Sequence, residues 1–432
     1  MSLNRKRVLE LVPSQYRPLL NHEGFKKYFR NTGWMFIGQF FSLVASFFVG
    51  AAVARYLGPA NYGLYNYALS FVGLFSFIAP LGVDAILYRE LISHPEKRDE
   101  LLGTTFRLKL IGGTIAFLAA SLAAYFLESS YLVKLIVLIF SSSFIFQAFN
   151  VSNTFFNSRV ESVKNVKVQT LGILLAAVLK IVVIVTHRGV IWLAVAALIE
   201  SMVISIGAIY FYRQPGRSLP AWSFSPTLAK RILSVSWLLL LSSAAAFIYQ
   251  KVDQVMIGRF LGNAAVGLYA VAAKLSEIWY FIPGIICGSL FPAIVNAKKT
   301  SWALYQNRLG KLYWLMFFLA LGVTLPLTIF SQPITIFIFG SDYAAAAPVL
   351  RIYAWSSIGL FLVTAINQAL TSENRLRLIF FLNLIMMVAN VGLNYLFIPR
   401  FGLVGAAWAT TISYLLGPLC IFIYQRWRRV RS

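Results

Sequence analysis

Three lysines stand inside long apolar stretches of the sequence, where a charged side chain is costly. They are Lys180, Lys251 and Lys274. An ammonium group in such surroundings is retained only beside an opposite charge or in a wet cavity. The same group can neutralise an anion such as a phosphate. We therefore predict that these lysines bind an anionic ligand; the alternatives are a local ion pair for Lys274 and outward snorkelling for the other two.

Acidic residues share the same apolar stretches, namely Asp84, Glu200, Asp253 and Glu277. Such a carboxyl group either binds a coupling ion or forms a static ion pair. Glu277 follows Lys274 by three residues, so the two share a helical face and could pair. We expect Asp253 to find Lys274 as its partner if neighbouring helices pack together. Glu200 has no lysine close in sequence, which makes it a further candidate for ion coupling.

The composition excludes water as the main solvent of these residues. The chain has 432 residues, of which 59% are apolar and 12% charged, and its mean hydropathy is +0.74. Soluble domains are about 45–50% apolar and about 25% charged. The net charge of +24 does not indicate nucleic-acid binding, because the basic residues lie in connections between apolar runs. Cys287 and Cys420 fall inside apolar runs, so we predict no disulfide.

Twelve apolar runs of about 20 residues each can cross about 30 Å of hydrocarbon as helices. They lack the alternation of membrane strands, so we predict an all-α integral membrane protein with about 12 transmembrane helices. The runs lie near residues 33–54, 62–87, 108–127, 132–151, 167–186, 190–211, 232–257, 266–294, 312–331, 348–370, 377–398 and 403–424.

Basic residues alternate between the two sides of this arrangement. The two tails and the even-numbered connections carry most Lys and Arg, and each odd-numbered connection carries one. Positive residues stay on the cytoplasmic side, so we predict a multi-pass protein of the cytoplasmic (inner) membrane with both termini in the cytoplasm. Arg55 and Arg259, in odd-numbered connections, are then expected at the outer mouth.

The two halves of the chain resemble each other. Residues 55–65 (RYLGPANYGLY) match residues 259–269 (RFLGNAAVGLY) at seven of eleven positions, with a shift of 204. Six spans per half is an even number, so we predict two six-helix bundles related by a pseudo-two-fold axis along the membrane normal. Pro80 and the pair Pro283 and Gly284 lie near matched positions and are candidate hinges or static kinks.

The predicted domains follow from this repeat. They are a basic tail (1–32), an N-terminal bundle (33–213), a linker (214–231), a C-terminal bundle (232–425) and a second basic tail (426–432).

Motifs along most of the chain point to one family. They are Val53–Pro59 with Tyr62 and Gly63, Leu81–Asp84 with Arg89 and Glu90, Asp253–Gly258, Phe339–Tyr343 with Pro348–Leu350, Asn390, Asn394, Ile398, Pro399, Gly402 and Gly405–Ala407. With these motifs the chain resembles the bacterial Wzx-type polysaccharide and O-antigen flippases. These belong to the multidrug/oligosaccharidyl-lipid/polysaccharide exporter superfamily.

The resemblance implies two six-helix bundles that face each other in a V. It implies that a polyprenyl-pyrophosphate-linked oligosaccharide moves from the cytoplasmic to the outer leaflet, and that spans 1, 2, 7 and 8 line the cavity. The lysines would then bind the pyrophosphate headgroup. Membrane lipids, H⁺ or Na⁺ as the coupling ion and a polysaccharide polymerase or ligase are the expected partners.

Further polar residues have two possible roles each. Asp84 and Arg89 form either a cytoplasmic gate or an interface cluster. The amides either bind sugar hydroxyls or hold helices together; they are Gln147, Asn150, Asn153, Asn157, Asn367 and Gln368.

Two other functions remain open at this point. A multidrug exporter of the same superfamily would bind organic cations, and an integral membrane sugar-transfer enzyme would need a larger extramembrane surface. The chain has no G-x-x-x-x-G-K-[ST] loop, and its histidines His22, His94 and His187 are scattered. We therefore predict a transporter rather than an enzyme, without a cofactor or metal.

Overall fold

A computed structural model describes residues 23–213 and 217–431, with side chains for 33, 34, 38–213 and 217–423. Most of the predicted N-terminal tail, including His22, lies outside the described residues. The described part is helical and contains no β-strand. In the N-terminal half the helices are α1 (Glu23–Gly73), α2 (Asp84–Ser93), α3 (Arg98–Leu127), α4 (Tyr131–Phe146), α5 (Val151–Ser158), α6 (Ser162–Val185) and α7 (Val190–Tyr212).

The C-terminal half is divided differently, since it begins with two separate long helices and ends with a single one. Its helices are α8 (Pro226–Leu261), α9 (Asn263–Glu277), α10 (Phe281–Thr300), α11 (Trp302–Ile329), α12 (Ser331–Phe339), α13 (Ala347–Tyr353), α14 (Ser356–Ser372) and α15 (Leu376–Arg431).

Within the described ranges, nine helices are long and apolar enough to cross a membrane. A tenth span forms if the bent pair Ser341–Tyr353 and Ser356–Ser372, which meet at 46°, is counted as one. A multi-pass α-helical membrane protein is therefore confirmed. The number twelve stays a prediction, because it depends on dividing the two longest helices, α1 and α15.

Both of these helices contain a glycine whose backbone is not helical. Gly58 has a φ of 65°, and Gly402 has a φ of 59°. L-residues with a side chain rarely adopt this region, so glycine is the residue that permits the break. A Cβ on Gly405 would collide with the carbonyl group of Phe397. This closeness shows that the chain turns back after Gly402. Eight residues of straight helix would separate these two positions by about 12 Å.

The two halves meet through a reciprocal contact of matched residues. A Cβ on Gly63 would collide with the backbone of Asn263 and Gly267, and a Cβ on Gly267 with that of Pro59 and Gly63. Pro59 and Asn263 occupy equivalent positions of the repeat, as do the two glycines. Reciprocal contacts of this kind are what a two-fold axis produces, and they agree with the predicted pseudo-symmetry.

The apolar core shows at which end the halves are joined. A single buried cluster contains Ala124 and Val190 of the N-terminal half together with Val266 and Leu350 of the C-terminal half. These residues lie towards the predicted outer side. Towards the predicted cytoplasmic side the cores around Phe155 and around Met316 are separate, although the beginning of α8 packs on the N-terminal half through Ile232. The halves therefore share their larger apolar core at the predicted outer end.

The candidate hinges differ between the halves. After α1, residues 74–82 form consecutive turns, and Pro80 lies among them. In the second half the break is a single 3₁₀ turn, Ile278–Tyr280, and Pro283 and Gly284 begin the next helix. The run of turns at this position is thus nine residues long in the first half, whereas the 3₁₀ turn in the second half is three residues long.

Candidate functional site

Lys274 lies at the interface between the two halves. It comes eleven residues after the start of α9, which is about 16 Å along the helix. Its Nζ atom contacts Gly50 of α1 so closely that a Cβ on this glycine would collide with it. Within the described residues the ammonium group has neither a hydrogen bond nor an ion pair.

Lys251 reaches the same interface from α8. Its Cγ atom lies 3.3 Å from the position that a Cβ on Gly73 would take. No carboxylate of the described part lies within ion-pairing distance of Lys251. Two lysines of the C-terminal half thus face glycines of the N-terminal half, where the missing side chains leave room for them.

Glu277 does not neutralise Lys274. Its Oε1 atom accepts a hydrogen bond of 2.7 Å from the hydroxyl group of Tyr353. The local ion pair considered as the alternative reading of Lys274 does not form. Glu277 therefore does not compensate the charge of this lysine.

Asp253 is buried, and its partners are hydroxyl and amide groups. The hydroxyl of Tyr269 donates to Oδ2 over 2.6 Å, the backbone N–H of Gln254 donates to Oδ1 over 2.7 Å, and the hydroxyl of Thr410 lies at 3.4 Å. The prediction that Lys274 neutralises this carboxylate is wrong. α8 directs Asp253 into the C-terminal bundle, whereas Lys274 points across to the other half.

Lys180 and Glu200 form an ion pair within the N-terminal half. The Nζ and Oε2 atoms are 3.6 Å apart and join α6 to α7. Both side chains therefore have an ion-pair partner, whereas Lys274 has none in the described part. The sequence did not suggest this pair because the two residues are twenty positions apart and lie on different helices.

The amides of the first half divide into two groups. Gln147 and Asn150 line a cavity of about 380 Å³ between α1, α4 and α7. Asn157 accepts hydrogen bonds from Ser162 and Asn165 over 2.8 and 2.9 Å and so holds α5 to α6. Asn153, whose carbonyl oxygen accepts a bond of 3.0 Å from Asn165, belongs to the same contact.

The amides of the second half are less well engaged. The Oδ1 atom of Asn367 is buried and has no partner among the described atoms. Gln368 is half-buried next to it.

Asp84 and Arg89 do not act on each other. Asp84 pairs with Lys109 over 2.5 Å and joins α2 to α3 within the N-terminal half. Lys109 was not among the candidates from the sequence, and the structure buries it inside α3. Arg89 is largely exposed and lies 3.4 Å from Glu90.

Glu90 instead links α2 to the beginning of α8. Its Oε2 atom lies 2.5 Å from Arg231. Burial alone would raise the pKa of the Glu90 carboxyl group, but the charge and hydrogen bonds of Arg231 and Arg89 hold it below its usual value. The ion pair therefore persists at neutral pH.

The two predicted outer arginines each reach across to the other half. Arg55 donates hydrogen bonds to the carbonyl groups of Phe337 and Ile338 at the end of α12. Arg259 donates to the carbonyl group of Leu127, 2.6 Å away, and to Glu128, 2.8 Å away, at the end of α3. Helix C-termini offer unpaired carbonyl groups and partial negative charge. The arginines thus join the halves at the predicted outer end.

Two contributors to these contacts were missed by the sequence reasoning. Gly50 carries no signal in the sequence, because a glycine in an apolar run is unremarkable until its neighbour is known. Glu128 stands in a connection at the end of a run, and only the fold brings Arg259 to it.

The fold and this interface define a class: a multi-pass membrane protein of two helical halves with a cationic seam between them. A family model described as "Polysaccharide biosynthesis protein" matches residues 28–298, and the chain belongs to this family. The family expected from the motifs is thereby confirmed. A second family model, MatE, matches residues 239–396.

Some of the relatives of this chain carry names from glycan export. A protein of Haloferax volcanii named as a low-salt glycan biosynthesis flippase is 27% identical over 187 residues, 43% of this chain and 40% of that protein. The match thus spans less than half of that relative. A protein of Shigella flexneri named as an O-antigen transporter is 23% identical over 422 residues, 92% of this chain and 97% of that protein.

A solved structure shares the fold. It is the inward-facing conformation of a multidrug resistance MATE family transporter of the MOP superfamily, with a TM-score of 0.78 and 17% identity. The match covers 90% of this chain and 94% of that one. The all-α fold predicted from the sequence is therefore confirmed.

Proposed function

We propose that this protein is a flippase that moves a polyprenyl-pyrophosphate-linked oligosaccharide from the cytoplasmic to the outer leaflet. Family membership and the names of the relatives support this class of substrate. The observation that carries the proposal is the pair Lys274 and Lys251. Both side chains lie at the interface of the halves, and neither has an acidic partner in the described part.

These lysines match the chemistry of the headgroup. The polyprenyl chain stays in lipid, but the pyrophosphate cannot cross hydrocarbon without compensation of its charge. An unpaired ammonium group in a low-dielectric cavity attracts phosphate oxygens more strongly than one at a surface does. Lys274 and Lys251 would take up the pyrophosphate between the halves. Lys180 contributes less to this role, because Glu200 already compensates its charge.

Transport would proceed by alternating access. The halves are joined at the predicted outer end by Arg55 and Arg259, so the headgroup would enter from the cytoplasmic side. Opening of the outer side requires that both arginines leave the carbonyl groups they bind. Pro80, Pro283 and Gly284 remain our candidate hinges.

We infer further that transport is coupled to an H⁺ or Na⁺ gradient through the C-terminal half. Asp253 is a buried carboxylate with hydroxyl partners, and none of the described basic residues pairs with it. Glu277 is likewise held by a tyrosine. Glu200 is less suited to this role because it pairs with Lys180. A polymerase or ligase is a proposed partner of the exported unit.

Coupling is tested with Asp253→Asn and Glu277→Gln in proteoliposomes. We expect both variants to bind the lipid-linked substrate but to respond less to an imposed H⁺ or Na⁺ gradient. Glu200→Gln serves as the comparison and should retain the gradient response. Unchanged gradient dependence in both variants would remove the coupling role from the C-terminal half.

A multidrug exporter is the second candidate, because the solved structure described above is one. An organic cation requires an unpaired carboxylate at the interface, whereas this interface presents lysines. Reconstituted transport decides between the two: the proposed flippase moves defined polyprenyl-pyrophosphate-linked sugars and not ethidium. A membrane sugar-transfer enzyme would instead change the length of the lipid-linked unit. If no lipid-linked sugar moves under any gradient, the proposal is wrong.

A further inference from the structure

The cavity in the N-terminal half is lined by one face from each of three segments. In each segment the lining residues follow the i, i+3, i+4, i+7 spacing that places side chains on the same side of a helix. Polar groups and apolar rings alternate along these faces. The three sets are Leu69, Val72, Gly73 and Ser76; Phe140, Ser143, Phe144 and Gln147; Ala197, Glu200, Ser201 and Ile204.

Some of these polar groups have no partner in the protein. The side-chain amide of Gln147 and the hydroxyl of Ser201 make no hydrogen bond with other described residues. The Nδ2 group of Asn150 is also free, although its Oδ1 atom accepts a bond of 3.4 Å from Asn153. Polar groups inside a membrane protein are costly unless they are satisfied. These groups are therefore available to a polar ligand.

The wall of the cavity is a broken helix. α4 ends at Phe146, a 3₁₀ turn covers Gln147–Asn150, and α5 then begins. Irregular backbone at membrane depth is tolerated where it lines a cavity, and broken helices mark binding sites in transporters. The hydroxyl of Ser205 donates a hydrogen bond of 2.9 Å to the carbonyl oxygen of Phe146 and so stabilises the broken helix.

The cavity is electrically balanced. Glu200 is the acidic residue among its lining groups, and Lys180 lies 3.6 Å from this carboxylate. A cationic ligand would have to compete with Lys180, and an anionic ligand would meet Glu200. The chemistry that fits is an uncharged molecule with many hydroxyl groups and one apolar face.

Gly73 connects this cavity to the lysines. It belongs to the cavity wall, and the position that a Cβ on it would take lies 3.3 Å from the Cγ atom of Lys251. A group directly attached to a pyrophosphate at Lys251 would therefore lie beside the wall of this cavity. In the proposed substrate that group is the first sugar.

We propose that this cavity is a sugar-binding subsite for an uncharged hexose or N-acetylhexosamine, the residue linked to the pyrophosphate. The subsite rests on the proposed function, because the lipid-linked substrate brings the sugar to Gly73. A volume of about 380 Å³ lies in the range of small-molecule sites. Gln147, Ser201 and Asn150 bind its hydroxyl groups, and Phe140 and Phe144 cover its apolar face.

The test is native mass spectrometry of the full chain in lipid nanodiscs. The probes are undecaprenyl pyrophosphate without sugar and the same lipid linked to glucose, galactose, mannose, N-acetylglucosamine or N-acetylgalactosamine. The wild type should bind at least one sugar-bearing probe about tenfold or more tightly than the bare lipid, the effect of one or two good hydrogen bonds. Equal binding of all probes would overturn the subsite.

Gln147→Leu combined with Ser201→Ala should remove this preference and leave binding of the bare lipid unchanged. The matched control, Gln306→Leu with Ser289→Ala, makes the same chemical changes at exposed positions of the second half. Lys274→Ala should weaken the binding of every probe to the same extent. If Lys274→Ala acts in this way but the cavity variant keeps the preference, the subsite is wrong while the proposed function stands.

The charge balance allows a second test. Lys180→Met leaves Glu200 uncompensated, so this variant should gain affinity for the probe linked to glucosamine, a cationic sugar, relative to N-acetylglucosamine. Lys180→Met with Glu200→Gln restores neutrality and should restore the original order, which also controls for misfolding of the single variant. No change of order in the folded single variant would overturn the placement of the sugar beside Glu200.

Discussion

The two halves of this protein differ in how the charged side chains within their apolar spans are compensated. In the N-terminal half, Lys180 pairs with Glu200 and Asp84 with Lys109. In the C-terminal half, neither Lys251 nor Lys274 has an acidic partner in the described part, and tyrosines hold the acids instead. The N-terminal half thus compensates these charges with ion pairs, and the C-terminal half does not. Because unpaired charge is expensive to keep, we assign the headgroup chemistry to the C-terminal half and a neutral subsite to the N-terminal one.

The largest effect is expected from removing an uncompensated charge. Lys274→Ala should leave the protein folded but lower transport of the lipid-linked substrate by about 10- to 100-fold, the value of one charged hydrogen bond. Lys274→Arg should retain part of the activity because the charge is kept. Initial rates in proteoliposomes measure this, and Lys299→Ala, at an exposed position, is the control.

Lys274→Ala combined with Glu277→Ala separates binding from structure. If the two residues only balance each other, the double variant should recover transport. Since the structure shows no contact between them, we expect it to fold and remain inactive. Near-normal transport in the double variant would eliminate the headgroup role of Lys274.

A smaller effect is expected from the glycine that faces this lysine. A Cβ on Gly50 would collide with the Nζ atom of Lys274, so Gly50→Ala should displace the ammonium group and lower transport several-fold without loss of charge. Gly288→Ala is the matched control, since a Cβ at this helical position meets no atom within 4 Å. Transport rates and thermal unfolding are measured together. Equal rates for the two variants would show that the position of the ammonium group is unimportant.

The last expected effect concerns stability rather than transport. Removing one member of the pair Lys180 and Glu200 leaves a partly buried charge unpaired, which should lower the free energy of unfolding by about 1–3 kcal/mol. The double variant Lys180→Met with Glu200→Gln should recover most of this loss. Asp253→Asn, by contrast, removes a charge that has no cationic partner and should leave the melting temperature unchanged or raise it. A loss of stability in Asp253→Asn as large as in Lys180→Met would contradict the comparison.

Much of the architecture was predictable because membrane solvation imposes simple rules on a sequence. Apolar runs of the required length become helices, and the matched segments around Gly58 and Gly262 indicate the repeat. The ends of the helices were predicted less well. α3 begins ten residues before its apolar run, because polar residues continue the helix beyond the apolar segment.

The residue type alone was enough to identify candidate site residues in the sequence. The residues that each of them contacts could not be identified in this way. The sequence by itself determined that charged side chains lie within the apolar spans. They stand out there because no bulk water is available to solvate their charge. The tertiary structure alone decided that Lys180 meets Glu200, that Asp253 meets Tyr269, and that Lys274 lies against Gly50. The physical reason is that electrostatic compensation depends on distances of a few ångströms between different helices, and those distances are set by helix packing rather than by spacing along the chain.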